Sequence, residues 1–106
     1  VRILFDQGTP VPLRHLLIGH EVATAYERGW STLRNGALLD SAEQEGFSVF
    51  VTTDKNLKYQ QNLQSRRIAI VVIMTTSWLR IQRAADAVIA AVGNATTGSY
   101  IEIEVP

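Results

Sequence analysis

The chain has 106 residues, a formal net charge of zero, 46% hydrophobic residues and no cysteine. That length and apolar content fit one domain with a modest core, residues 1–106. The charge balance gives no global pull toward nucleic acid or an acidic membrane. The lack of cysteine removes disulfides, thiol chemistry and cysteine-based zinc sites.

In chain order, Val1 to Phe5 reads as a first strand. Pro10 to Leu17 reads as a first helix, with Thr9 as its N-cap and Pro10 at the first helical position. Glu21 to Ala25 is a short second strand. A helix is predicted from about Gly36 to Glu45, capped by Asn35 and stopped by Gly46. Ser48 to Thr52 makes a third strand, and a short helix is predicted over Leu57 to Leu63. Ile68 to Ile73 is apolar throughout, as a central parallel strand covered on both faces would be. The longest helix is predicted from Trp78 to Val92, with Ser77 as cap and Gly93 as stop. Tyr100 to Val105 alternates in polarity, so the last strand has one wet face or lies at an edge. The alternation of strand and helix implies a three-layer α/β/α sandwich around a mostly parallel sheet of about five strands. No signal-like segment is visible, and the apolar run Ile68 to Met74 is too short to span a bilayer. A cytoplasmic location is expected.

In such a sheet, sites form beyond the carboxyl ends of the strands, where the connection order reverses. The residues there are Asp6-Gln7-Gly8-Thr9, Thr24, Thr52-Thr53-Asp54-Lys55-Asn56 and Thr75-Thr76-Ser77. With strand order 2-1-3-4-5, Asp6 and Asp54 face each other across the crevice. Two carboxylates so placed repel unless a proton or a cation sits between them, and a hard divalent ion such as Mg²⁺ meets that need. The plainer reading makes Asp6 a turn cap and Asp54 the N-cap of the next helix. His15, His20, Trp30 and Trp78 read as surface or packing residues.

Between Lys55 and Ala85 there are six basic residues (Lys55, Lys58, Arg66, Arg67, Arg80 and Arg83) and no acidic one. A basic half beside an acidic cleft suits a polyanion; the alternative is a set of separate solvated faces. Tyr59 and the amides Gln60, Gln61, Asn62 and Gln64 have the chemistry to stack on and hydrogen-bond single-stranded bases, or simply to cover an exposed helix.

The segments ILFDQGTPVPLR, GHEV, NGALLDSAEQEGFSVFVTTDKNLKYQQNL and RRIAIVVI together resemble the short bacterial PIN-like proteins, relatives of the ribonuclease toxins of toxin–antitoxin pairs. The resemblance runs from Val1 to about Ile73. It implies a metal-dependent ribonuclease, with Asp6 and Asp54 as catalytic carboxylates binding Mg²⁺ or Mn²⁺. RNA, a small antitoxin protein or a second copy of the chain are then the expected partners. By position, Asn35 and Asn56 fall where relatives often carry further acids. These amides lower the negative charge of the cluster and its cation affinity. Glu43, about two turns along the helix from Asn35, is the residue placed to compensate, and Asp40 less so. Lys55, Lys58 and Arg34 are the candidates for holding phosphates. A non-catalytic RNA- or protein-binding relative is the second reading. A phospho-receiver-like domain is the third; it is disfavoured because Gln7, not an acid, follows Asp6 and no lysine follows the last strand.

Overall fold

The run Ala69–Ile73 is buried along its whole length and forms β4, a strand flanked on both sides. In a computed structural model describing all 106 residues, it belongs to a five-stranded, wholly parallel sheet of order β2-β1-β3-β4-β5. The other strands are β1 (Arg2–Phe5), β2 (Glu21–Thr24), β3 (Val49–Thr52) and β5 (Tyr100–Ile103).

Because side chains alternate along a strand, each strand feeds two cores. Ile3, Phe5, Val49, Val51, Val71 and Ile73 point to one face, against a 3₁₀ helix (Val11–Leu16), α3 (Trp78–Arg83) and α4 (Ala85–Gly93). Leu4, Phe50, Ile70 and Val72 point to the other, against α1 (Asn35–Gln44) and α2 (Leu57–Gln60). This is the expected three-layer sandwich. Each fully buried Phe, Ile or Leu contributes about 1.5–3 kcal/mol of apolar transfer free energy, so the two faces share the stabilisation. No helix is long and apolar enough to cross a membrane.

Gly46 ends α1 at φ +80°, a conformation that lets the Phe47 N–H return to Ala42 O at 3.0 Å. Several expected elements are corrected. The first helix is a 3₁₀ segment without a side-chain cap, since the Thr9 hydroxyl is drawn to Asp6 instead. Asn35 is the first residue of α1 rather than its cap; Arg34 precedes it in extended backbone. The second strand ends one residue early at Thr24, and α2 stops at Gln60. The long C-terminal helix breaks at Ala84. There α3 packs on the 3₁₀ helix while α4 follows β4 and β5, and the change of direction serves both contacts. Ser77 does cap α3, its Oγ accepting from Arg80 N–H.

Candidate functional site

The connection order reverses between β1 and β3, and the two aspartates stand at the ends of those strands. Asp6 leaves β1 with its N–H still donating to Val51 O of β3 at 3.3 Å. Its carbonyl then accepts the Thr9 N–H, closing the turn through Gln7 and Gly8. Gly8 is required by close approach: a Cβ there would lie 2.9 Å from Thr53 Oγ1.

Both oxygens of the Asp6 carboxylate accept from hydroxyls, Oδ1 from Thr9 Oγ1 at 2.6 Å and Oδ2 from Thr52 Oγ1. Thr52 in turn accepts the Asp54 N–H at 3.0 Å. One threonine, with no exposed surface, therefore links the backbone of Asp54 to the carboxylate of Asp6. Burial pushes Asp6 above the usual carboxylate range; the Thr52 and Thr9 donors pull against this, and the nearby charge of Asp54 adds to the rise.

Asp54 uses its two oxygens separately. Oδ1 accepts the Asn56 N–H at 2.9 Å, closing a turn ahead of α2 rather than capping the helix. Oδ2 accepts from Asn35 Nδ2 at 3.3 Å, and the same amide reaches Gln60 Oε1 at 3.1 Å. Beside Asp6, a small cleft of about 150 Å³ opens between Gly8, Trp30, Leu33 and Asn35. Through Asn35 it meets a wholly polar recess lined by Arg34, Asn35, Gln60 and Gln61.

The structure thus brings Asp6, Asp54 and Asn35 together and leaves other expected residues apart. Glu43 lies at the opposite end of α1, about 12 Å of helix rise from Asn35. There it accepts from Arg66 at 2.9 Å and from the Arg67 N–H at 3.0 Å. It belongs to an ion pair at the amino edge of the sheet, not to the crevice. Asn56 contributes its backbone N–H, while its side chain is exposed and bonds nothing. Lys58 is paired with Glu102 of β5 at 2.9 Å. Lys55 and Arg34 are exposed and make no ion pair.

The expected basic half is accordingly broken up. Arg66 and Arg67 are matched by Asp40 and Glu43, and Lys58 by Glu102, so partners distant in sequence neutralise half of that run. His15 is exposed, and His20 lies beside the Val1 amine at 3.3 Å. Trp30 packs edge-on against Phe47, and Trp78 against the larger core.

Nowhere do three or more His, Asp or Glu side chains gather as metal ligands. The sequence reading missed the threonines as working residues. The buried polar side chains are Thr9, Thr24, Thr52 and Thr53, all at the carboxyl edge of the sheet. The signal was an apolar strand ending in Thr-Thr-Asp, where a hydroxyl has no apolar reason to be buried. Neither family models, curated proteins nor solved structures give a match to this chain, so the site is read from its own geometry.

Proposed function

We propose that the chain is a PIN-like, divalent-cation-dependent ribonuclease whose centre is the Asp6–Thr52–Asp54 arrangement. The observation that carries this reading is a desolvated carboxylate, Asp6, linked through one buried hydroxyl to a second aspartate at the topological switch point. The donor set fits a hard cation. Asp6 and Asp54 offer carboxylate oxygens on adjoining strand ends, and Mg²⁺ commonly takes one or two carboxylates and keeps water elsewhere. Bound there, such an ion supplies Lewis-acid activation and neutralises phosphate charge.

The chain's own residues do the rest. Thr9 and Thr52 fix the Asp6 carboxylate from both oxygens. Asn35 steers Asp54 Oδ2 and ties it to α2 through Gln60. Arg34 and Lys55, free of ion pairs, are the cations available to phosphates. Lys58 is less available, since it would first have to leave Glu102. A cytoplasmic location accompanies this reading, as does a toxin role restrained by a small antitoxin protein; growth arrest on expression tests the latter.

The decisive experiment measures Mn²⁺ binding calorimetrically and cleavage of an unstructured RNA in the wild type, Asp6→Asn and Asp54→Asn. Both variants are expected to lose binding and cleavage together. Undiminished cleavage in Asp6→Asn overturns the assignment. A second reading, a non-catalytic RNA-binding relative, is favoured by one feature: amides stand at 35 and 56, and Glu43 is held away from them. It predicts RNA binding by the wild type with no turnover in Mg²⁺ or Mn²⁺.

A further inference from the structure

The two edges of the sheet use their outward-facing backbone groups differently. On β2, the N–H groups of Glu21 and Ala25 bond Val1 O and Phe5 O of the neighbouring chain segment, so Val22 and Thr24 turn theirs outward. These are occupied. Arg14 donates to Val22 O at 3.1 Å, the Thr24 N–H donates to Glu27 Oε1 at 2.9 Å, and the Arg28 N–H donates to Thr24 O at 3.1 Å. The Arg14–Glu27 pair plugs that edge against an added strand.

On β5 the carbonyls of Ser99 and Ile103 accept from Ile70 and Met74, which leaves Tyr100, Glu102 and Glu104 facing outward. Within residues 1–106, no side chain or backbone group reaches their N–H and C=O groups. Below this edge lies a groove of about 560 Å³ between β5 and α4, with Ala87, Ala90, Ala91 and Ile101 among its lining residues. The alanines of α4 leave it wide, and Ile101 is 44% exposed there. Glu102 and Glu104 are also in the lining, and no Lys, Arg or His is. Glu102 leans to Lys58 on the other face, while Glu104 has no cation of its own.

We propose that β5 and this groove form a docking edge for an extended segment of a partner protein in which basic residues alternate with apolar ones. The added strand takes the free backbone groups of Tyr100, Glu102 and Glu104. Its apolar side chains enter the groove beside Ile101, and its cations meet the carboxylates. Charge selects against a second copy of the chain as the occupant. Antiparallel pairing of two β5 strands about an axis at Glu102 or Ile103 sets glutamates opposite glutamates, which is destabilising.

The test uses the intact protein and two labelled hexapeptides, one alternating Lys and Val, the other Glu and Val. Fluorescence anisotropy is expected to give about tenfold tighter binding of the Lys–Val peptide, weakening as salt rises. Amide exchange should slow at Tyr100, Glu102 and Glu104 on binding. Glu104→Lys, an exposed change that leaves the core intact, should abolish the preference between peptides. Equal affinity for the two peptides, protection at β2 instead of β5, or a dimer in sedimentation with β5 amides already protected would each overturn the proposal.

Discussion

Thr52 is the residue on which the candidate site turns, because its single hydroxyl serves both aspartates at once. Replacing it with valine keeps the shape but removes a buried bond to a charged group and orphans the Asp54 N–H. Thr52→Val is therefore expected to cost about 1–3 kcal/mol in urea unfolding. It should also raise the Asp6 pKa further, since the Thr52 donor is one of the contacts that hold it down. Thr52→Ser restores the hydroxyl and should recover most of both effects; an NMR titration of the Asp6 carboxyl carbon reads the second. Asp6 itself is expected to be a site where stability is sacrificed. Its folded pKa is raised, so its ionisation weakens the fold as pH climbs through the ordinary carboxylate range and beyond. At neutral pH Asp6→Asn should accordingly melt a few degrees higher than the wild type. Added Mn²⁺ should raise the melting temperature of the wild type and leave Asp6→Asn unmoved.

Among the elements, α1 separates two roles that its sequence runs together. Its first residue, Asn35, holds Asp54, whereas Glu43 near its far end anchors the segment leading into β4. Burial acts to raise the Glu43 pKa, but the Arg66 and Arg67 donors outweigh it and hold the carboxyl below its usual range. Glu43→Gln should lose about 1–2 kcal/mol of stability, through weakened bonds to a charged partner, and leave Mn²⁺ affinity unchanged. A large drop in Mn²⁺ affinity would return Glu43 to the crevice. The strands were readable because their signals are local: an all-apolar run such as AIVVI needs cover on both faces, and polar residues collect after each strand. Their order, a non-local property, entered the sequence reading only as a condition, and the sheet has that order. Ion pairs such as Arg66–Glu43 and Lys58–Glu102 were not readable, because they join residues far apart in sequence whose meeting depends on helix docking. The break at Ala84 escaped for a similar reason. No Gly or Pro marks it, and it follows from two different packing partners.

For the molecule as a whole, carboxylates of opposite sign in their linkage share one pH range. Hydrogen bonding from Arg14, followed by the Thr24 N–H, lowers Glu27 from 4.5 to about 2. Glu43 is held down by Arg66 and Arg67, and Glu102 by Lys58 and then Tyr100. A lowered carboxylate stabilises the fold above its unfolded pKa, and that stabilisation is lost as pH falls through the folded value. For Glu27 the loss therefore runs from about 4.5 down to about 2. Asp6 works the other way, its cost growing as pH rises past 3.8 toward its raised value. The wild-type melting temperature should thus climb from acid pH and level off early, with the Asp6 cost cancelling part of the carboxylate gain. Asp6→Asn removes the opposing contribution, so its curve should climb further before levelling. Glu27→Gln removes part of the gain and should flatten the acid limb, because it removes the charge of the Arg14–Glu27 pair. Melting curves from about pH 2 to about pH 7 separate the three proteins. Parallel curves for the wild type and Asp6→Asn would mean that the crevice carboxylate is not held at a cost, and the case for a cation site would lose its electrostatic support.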